Sequence, residues 1–310
     1  MHIITDDQVH RLITMSDAIS TLRLALTEQG NARAKIQPRV RTLGENISLS
    51  TMGAILPRAG VCGAKVYSTH KGIFDFVIPL FSTHDGRLLS IIHGGALTEY
   101  RTAAVTRIAF DAFGRTDAKV LAVFGTGVQA RAHIRAIVED SGIERVFIVG
   151  IEGVPEAVAQ MQARFPSVRF EASTAETAVK AADAIVTATR STVPLFDGAH
   201  VKAGTFVAAI GSSKPSAREI DDATLARAGL IIVESLEQAK EEAGDLLMAS
   251  AGVVDWNNVV ELGSTIASGN IHSRAQGDIT VFKSLGIGLA DIALGELVTR
   301  RIMEEAGRPA

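Results

Sequence analysis

A glycine-rich stretch between an apolar run and an amphipathic run carries the clearest chemical signal in the sequence. The apolar run 119–124 leads into Gly125-Thr126-Gly127-Val128-Gln129-Ala130, and helical spacing of apolar residues follows. The first glycine permits a tight turn, the second lets the backbone approach a pyrophosphate, and Ala130 allows close helix packing. The N–H groups of a helix N-terminus bind anions. Because a second strand follows at Arg145–Gly150, the stretch predicts a dinucleotide-binding loop rather than a merely tight turn.

The residue after that second strand bears on which dinucleotide is bound. An acidic side chain about 20 positions beyond the glycines commonly binds the adenosine ribose. Glu152 lies at that place, where it would repel a 2′-phosphate, and no Arg or Lys follows nearby. The sequence therefore favours NAD(H), with NADP(H) as the alternative.

Arg101 is a candidate for binding an anionic substrate. Thr98 has the character of a helix N-cap, which would place Arg101 in the first helical turn. Arg101 shares a stripe with Ala104, Val105 and Ile108, so we expect it to face inward. A cation there opposes the helix dipole by about 0.3–1 kcal/mol. A substrate carboxylate bound bidentately would account for this placement, and the alternative is a structural salt bridge to an Asp or Glu.

Further cations lie on strand-like segments. Arg39 and Arg41 share one face of "PRVRTL", and one of them can point inward. Lys65 interrupts the apolar run "CGAKVYS", and an inward lysine is costly unless it is paired. Desolvation would lower its pKa and make it a proton donor. The alternative is an exposed lysine on an edge strand.

The elements that must position these residues change character along the chain. Residues 1–115 begin with a capped helix, in which Thr14-Met15-Ser16-Asp17 precede the helical stretch "AISTLRLALTEQG" and Gly30 ends it. Short strands and a hairpin turn at residues 84–87 follow. From residue 116, apolar strands alternate with helices, which predicts a parallel sheet covered on both faces. The final helix begins near Leu289.

Composition excludes several classes of protein. The 310 residues are 47% hydrophobic and carry a net charge of −3, which argues against a nucleic-acid or anionic-membrane surface. There is no leader pattern and no apolar run of about 18 residues, so we expect no membrane partner. The single cysteine, Cys62, suits a reducing cytoplasm. The scattered histidines lack metal-ligand spacing, so no metal site is predicted.

Six motifs in order resemble the ornithine cyclodeaminase/mu-crystallin family over nearly the whole chain. The resemblance implies a Rossmann domain at 116–286 and a discontinuous α+β domain, 1–115 with 287–310, for substrate binding and homodimer formation. It also implies an α-amino or α-imino acid substrate and a nicotinamide cofactor. The motifs are "PRV" at 38–40, "AKV" at 64–66, "LTEYRTAA" at 97–104, "GTGVQARAH" at 125–133, "IGSSKPSAREID" at 210–221 and "DITVFKSLGIGLAD" at 278–291.

By the same resemblance, Arg39 and Arg101 would bind the substrate carboxylate, and Lys65 would lie beside the reacting nitrogen or the carboxylate. The expected cofactor contacts lie in three of the six motifs, after the second strand and at residues 187–189. They are Thr102, Gly125, Thr126, Gly127, Val128, Gln129, Glu152, Thr187, Ala188, Thr189, Phe282, Lys283 and Ser284.

Ser213 distinguishes the expected reactions. Family members that cyclise or oxidise amino acids carry an aspartate at this place, which serves as a base. Serine here resembles the ketimine reductase branch, and oxidation of an amine lacks its base without the carboxylate. The expected reaction is reduction of a cyclic imino acid, Δ1-pyrroline-2-carboxylate or Δ1-piperideine-2-carboxylate, in proline or pipecolate metabolism. The alternatives are a cyclodeaminase or amino-acid dehydrogenase, and a non-catalytic NAD(P)H-dependent binding protein.

Overall fold

The computed structural model describes residues 1–269 and 279–307. These residues form two compact units. The first comprises Met1–Val105, Ile266–Ser268 and Gly286–Ala310, and the second Thr106–Thr265 and Gly269–Leu285. The domain division expected from the sequence remains a proposal, and its residues 270–278 and 308–310 lie outside the described residues. Asp278, the first residue of the last motif, is one of these.

The first unit contains seven strands and four helices, with helix α3 contributing its residues up to Val105. The last helix of the described chain, α11, also belongs to this unit. The strands are β1 (His2–Ile4), β2 (Lys35–Ile36), β3 (Val40–Leu43), β4 (Ser48–Leu56), β5 (Val61–His70), β6 (Ile73–Ser82) and β7 (Leu88–His93). The helices are α1 (Asp6–Leu12), α2 (Met15–Gly30), α3 (Gly94–Phe113) and α11 (Gly288–Glu305).

Two local predictions in this unit are confirmed. Helix α2 begins after Thr14, whose hydroxyl accepts the N–H of Asp17 at 3.2 Å, and the Asp17 carboxylate accepts the N–H of Thr14 at 2.9 Å. This reciprocal pair satisfies two N–H groups at the helix start. Strands β6 and β7 are antiparallel, and the turn between them contains Gly86 at φ +72°.

The strands form one sheet in the order β1-β7-β6-β5-β4-β2, with β3 also paired to β4. Only β1 pairs in parallel, with β7; the remaining pairs are antiparallel. Helix α11 packs against β4, β5 and β6. Met52 of β4 is paired with Lys65 of β5, so the two side chains point to the same face. Both are buried.

The start of α3 differs from the prediction. The helix begins at Gly94, not after Thr98, so Arg101 lies seven residues inside it. The N–H of Ala96 donates to Asp6 Oδ1 at 2.7 Å, so the first turn is held by a carboxylate of α1, 90 residues earlier. The helix-dipole argument for Arg101 was therefore wrong, because that effect falls off within the first turn.

The second unit is built on an eight-stranded, entirely parallel sheet, as the alternating pattern predicts. Its order is β10-β9-β8-β11-β12-β15-β13-β14. The strands are β8 (Val120–Phe124), β9 (Arg145–Val149), β10 (Arg169–Ala172), β11 (Ala184–Thr187), β12 (Phe206–Ala209), β13 (Ala228–Val233), β14 (Val259–Glu261) and β15 (Ile279–Lys283). The helices are α4 (Val128–Val138), α5 (Val154–Arg164), α6 (Ala175–Ala181), α7 (Asp222–Ala226), α8 (Leu236–Glu242), α9 (Gly244–Leu247) and α10 (Leu262–Ser268).

The central strands of this sheet are β11, β12 and β15, and every residue of them is buried. Complete burial is typical of a parallel sheet with both faces covered. The loops after such strands gather at one edge of the sheet, which is where open α/β sheets bind their ligands.

Candidate active site

The glycine loop joins β8 to α4 in the second unit. Gly125 has φ +113°, and a Cβ there would lie 2.6 Å from the carbonyl oxygen of Ala188, so only glycine fits this turn. Gly127 caps α4, and among the described residues no atom lies within 4 Å of where its Cβ would be. Ala130 is fully buried. The loop thus combines a tight turn, an open approach and a helix N-terminus, which fits a pyrophosphate.

Glu152 follows β9 and is exposed. Its carbonyl oxygen accepts a hydrogen bond from Thr126 Oγ1 at 3.0 Å, so its backbone is bound to the glycine loop. Val128 and Gln129 open helix α4 beside that loop, Val128 exposed and Gln129 half-buried. Glu152 thus follows the second strand of the unit, where an acidic residue commonly binds an adenosine ribose, and this role stays a prediction.

The other predicted cofactor residues occupy two kinds of place. Thr187 ends β11 and Ala188-Thr189 follow it, and Ala188 packs against the glycine loop as described. Phe282, Lys283 and Ser284 lie at the end of β15 and are buried. Lys283 Nζ is 2.8 Å from Asp245 Oδ2, and Ser284 Oγ donates to Glu234 at 3.0 Å. The side chains of Lys283 and Ser284 are therefore occupied within the second unit, and the role of 282–284 toward the cofactor stays a prediction.

Two predicted site residues remain, one in each unit. Thr102 is buried in α3 and its hydroxyl donates to the carbonyl oxygen of Thr98 at 2.7 Å. Ser213 is half-buried in the loop after β12. Its neighbour Ser212 accepts a hydrogen bond from Lys283 Nζ through its carbonyl oxygen at 2.6 Å.

Three buried cations gather in the first unit, and we call Arg39, Lys65 and Arg101 the cation cluster. Their exposed fractions are 8%, 1% and 7%. Asp291, on the first turn of α11 and fully buried, joins them. Its Oδ1 lies 3.3 Å from Lys65 Nζ and 3.5 Å from Arg101 Nε. The cluster thus draws together β5, α3, α11 and the segment before β3.

The loop before α11 holds the two arginines. Arg39 Nη2 donates to the carbonyl oxygen of Gly286 at 3.3 Å and contacts Met52 Sδ at 3.7 Å. A Cβ on Gly286 would lie 2.3 Å from Arg101 Nη1, so glycine lets the chain pass close to that guanidinium. Arg41, the other arginine of its segment, is half-buried.

Lys65 lies in a nearly closed environment. Its ammonium contacts the hydroxyl of Thr98 and lies 4.1 Å from the ring centre of Phe76. The pKa of Lys65 is lowered to about 7. Burial is the main cause; the carboxylate of Asp291 opposes it, and the charges of Arg101 and Arg39 act in the same direction as burial. Near neutral pH this ammonium is able to give up a proton.

The cation cluster suits an anionic ligand by the chemistry of its side chains. Asp291 is within salt-bridge distance of both Lys65 and Arg101. The planar guanidinium groups of Arg39 and Arg101 are of the kind that binds a carboxylate through two hydrogen bonds. The inward orientation of Lys65 and Arg101 is confirmed. The exposed edge-strand alternative for Lys65 was wrong, because β5 lies between β4 and β6. The salt-bridge alternative for Arg101 is realised by Asp291.

Asp291 is a residue that the sequence interpretation missed. It lies inside the last motif, in an otherwise apolar stretch, Gly288-Leu289-Ala290-Asp291-Ile292. A carboxylate in such a stretch requires a buried partner. That signal was available, but it does not say which cation is the partner.

Two kinds of feature are absent from the described residues. Within residues 1–269 and 279–307, no group of three or more His, Cys, Asp or Glu side chains is placed to hold a metal ion. In the same part of the chain, no helix is both long and apolar enough to cross a membrane.

The sequence profile of the ornithine cyclodeaminase/mu-crystallin family matches residues 1–306. The chain belongs to this family. The family resemblance predicted from the six motifs is thereby confirmed. A ketimine reductase mu-crystallin from Mus musculus is 35% identical over 259 residues, which cover 81% of this chain and 79% of the relative.

Two solved structures of similar proteins support the family's fold. A probable ornithine cyclodeaminase from Bordetella pertussis Tohama I matches with a TM-score of 0.97 at 40% identity, over 100% of this chain and 99% of that one. The Thermococcus litoralis Δ1-pyrroline-2-carboxylate reductase, in complex with NADH and L-proline, matches at 0.93 and 25% identity, over 99% and 98%. The predicted α/β fold is confirmed.

Proposed function

We propose that the protein reduces a cyclic α-imino acid, Δ1-pyrroline-2-carboxylate or Δ1-piperideine-2-carboxylate, to L-proline or L-pipecolate with NAD(P)H. The observation that carries the proposal is the cation cluster, which offers two guanidinium groups for a carboxylate and a lysine of lowered pKa for a nitrogen. The structural similarity to a reductase solved in complex with NADH and L-proline supports the proposal. The 35% sequence identity to a ketimine reductase also supports it.

In the proposed mechanism, Arg39 and Arg101 bind the substrate carboxylate, and Asp291 holds Lys65 beside the imine nitrogen. The dinucleotide, held at the glycine loop and Glu152, supplies a hydride to the imine carbon when bound. Lys65 donates the proton that the nitrogen needs, so one C–H and one N–H bond form as the C=N double bond becomes single. A fixed geometry of the reactants supplies most of the acceleration.

The competing activity is cyclodeamination of L-ornithine, because one similar structure is of a probable ornithine cyclodeaminase. That reaction oxidises an amine, which must lose its proton before hydride can leave. Ser213 is the residue at the place of the expected base, and a serine hydroxyl does not act as a base near neutral pH unless a neighbour activates it. Lys214, beside it, is a cation and would oppose the step.

The function is tested by two assays on the unmodified protein. With NADH and Δ1-pyrroline-2-carboxylate or Δ1-piperideine-2-carboxylate we expect stoichiometric NADH oxidation and L-proline or L-pipecolate. With NAD⁺ and L-ornithine we expect no ammonia. Ammonia and proline in equal amounts, at rates that match imine reduction, would establish the cyclodeaminase instead. NADH binding without turnover of either substrate would favour the non-catalytic binding protein.

For the cofactor we propose NAD(H) over NADP(H), because Glu152 is an exposed carboxylate beside the glycine loop. The native protein should have a higher kcat/KM with NADH than with NADPH, and Glu152→Ala should reduce that preference by removing the repulsion. Glu156→Ala, an exposed glutamate four residues on, is the matched control and should leave the preference unchanged. If the native protein prefers NADPH and Glu152→Ala is silent, Glu152 does not contact the ribose.

We also propose a homodimer. On the sheet face opposite Met52, five large apolar side chains are exposed. Exposed apolar residues gathered on one sheet face are typical of an interaction surface, and a second copy of the chain is the partner that this face fits. The five are Val40, Leu49, Ile55, Ile73 and Val77, with exposed fractions of 53%, 50%, 47%, 71% and 38%.

A further inference from the structure

Glu219 is fully buried in the second unit and accepts four hydrogen bonds. Its Oε2 accepts from Thr187 Oγ1 at 2.8 Å and from the N–H of Gly211 at 2.7 Å. Its Oε1 accepts from the N–H of Thr189 at 2.8 Å and from Thr189 Oγ1 at 2.6 Å. Each oxygen therefore faces two donors, which matches the two lone pairs that each offers.

The donors lie on two loops of the sheet edge that binds ligands in this class of fold. Thr187 ends β11 and Thr189 follows it, while Gly211 follows the adjacent strand β12. A Cβ on Gly211 would lie 2.3 Å from the carbonyl oxygen of Thr189 and 2.4 Å from Glu219 Oε1. The carboxylate thus holds the two loops in close contact, and the approach requires a glycine.

The first of these loops packs directly on the glycine loop. Ala188 lies between the two threonines that Glu219 binds, and its carbonyl oxygen is the atom that excludes a Cβ from Gly125. The N–H of Ala188 also donates to the carbonyl oxygen of Phe124 at 2.9 Å. A change in the position of residues 187–189 would therefore move the turn that approaches the pyrophosphate.

A buried ion pair holds Glu219 in turn. Asp245 Oδ1 accepts the N–H of Glu219 at 2.6 Å and that of Ile220 at 3.1 Å. Asp245 Oδ2 lies 2.8 Å from Lys283 Nζ, which donates to the carbonyl oxygen of Ser212. The ends of β11, β12 and β15 are thus connected through charged groups with no exposed surface. Buried networks of hydrogen bonds and ion pairs rigidify the groups that they connect.

We propose that Glu219 is a positioning residue for the dinucleotide: it sets the conformation of residues 187–189 and 211 against the glycine loop, and so determines cofactor affinity. The inference rests on the proposed use of NAD(H). It assigns Glu219 no contact with cofactor or substrate. Loss of its hydrogen bonds should weaken dinucleotide binding, while the KM for the imine at saturating NADH stays unchanged, because the cation cluster is made of other residues.

The test is Glu219→Gln, which keeps the shape and replaces one oxygen by an amide NH2. In either orientation that NH2 faces a backbone N–H, of Thr189 or of Gly211, which cannot reverse. An unsatisfied buried donor of this kind should raise the Kd of NADH, measured by its fluorescence, at least about tenfold. Thr189→Val removes one donor and should raise the Kd in the same direction by less, which gives a second reading if Glu219→Gln folds poorly.

The control is Glu242→Gln, which neutralises another buried carboxylate of the same unit, bonded by Gln238 Nε2 at 2.9 Å. It should leave the Kd of NADH unchanged. A folded Glu219→Gln protein with native NADH affinity, or an equal loss in Glu242→Gln, would overturn the inference and leave the proposed function intact. If the unmodified protein binds no NADH, the proposed function itself fails. Non-additive effects of Glu219→Gln and Thr189→Val in the double variant would support a direct coupling.

Discussion

Replacement of Arg101 by lysine should lower kcat/KM for Δ1-pyrroline-2-carboxylate at least about 100-fold. The substitution keeps the charge, but an ammonium cannot reproduce the planar, two-pronged contact of a guanidinium with a carboxylate. Arg101 is 7% exposed. Its guanidinium lies 3.5 Å from Asp291 Oδ1 and close to the backbone at Gly286, and these neighbours fix its position. A lysine would therefore leave the substrate misplaced relative to the hydride donor. Steady-state kinetics with saturating NADH measures the loss.

The same variant should leave the Kd of NADH unchanged, because the predicted dinucleotide contacts other than Thr102 lie in the second unit. Arg107→Lys is a matched control in the same helix. Arg107 binds Asp111 Oδ1 at 2.6 Å and the carbonyl oxygen of Ala136 at 2.6 Å, and the proposal gives it no role in substrate binding. Near-native imine turnover by Arg101→Lys would show that Arg101 does not bind the carboxylate.

The inward register of Arg101 was predictable, whereas its position in the helix was not. Apolar residues at helical spacing fix which side of α3 is buried, and they do so from local sequence alone. The start of the helix depends on Asp6, whose carboxylate accepts the N–H of Ala96. That contact spans 90 residues, so no local pattern around Thr98 reveals it. The prediction about burial was confirmed, although the argument from the helix dipole was wrong.

The parallel sheet and the glycine loop were predictable for a similar reason. A strand, two glycines with a small residue and a helix follow one another within 20 residues, so the whole unit is visible in one stretch. The cation cluster is different, since Lys65 and Asp291 are 226 residues apart in sequence. Periodicity suggests that each charge is buried, but only the packing of α11 on β5 shows that they meet. The family resemblance named the cations and not their carboxylate.

Two carboxylates of the second unit also show what local sequence patterns cannot predict. Glu219 lies between Arg218 and Ile220, and Asp245 lies between Gly244 and Leu246, so neither stands in a stretch whose pattern predicts a buried carboxylate. An exposed position is the ordinary expectation for such side chains. In the fold both are fully buried, because the loops after several strands converge on them. The pattern gives the strands, while the contacts between their loops depend on the three-dimensional order β11-β12-β15.

Lys65→Met should lower kcat for imine reduction by about 10²–10⁴-fold, the range of a general acid. Methionine keeps the length and suits the buried site, but it has no proton to give. Because Lys65 has a pKa lowered to about 7 in the free protein and only its protonated form donates, kcat/KM of the native protein should fall as the pH rises above 7. The variant should lack that fall. Lys35→Met, a lysine exposed in β2, is the control and should retain both rate and profile.

A second variant, Asp291→Asn, distinguishes a role of Lys65 as proton donor from a purely structural role. The carboxylate of Asp291 raises the pKa of Lys65 against the effect of burial, so its removal should lower that pKa and move the fall in kcat/KM to lower pH. A role confined to holding the fold would reduce activity without moving the profile. If Lys65→Met keeps the native rate and the native pH dependence, Lys65 is not the proton donor, and an ordered water or another group protonates the nitrogen.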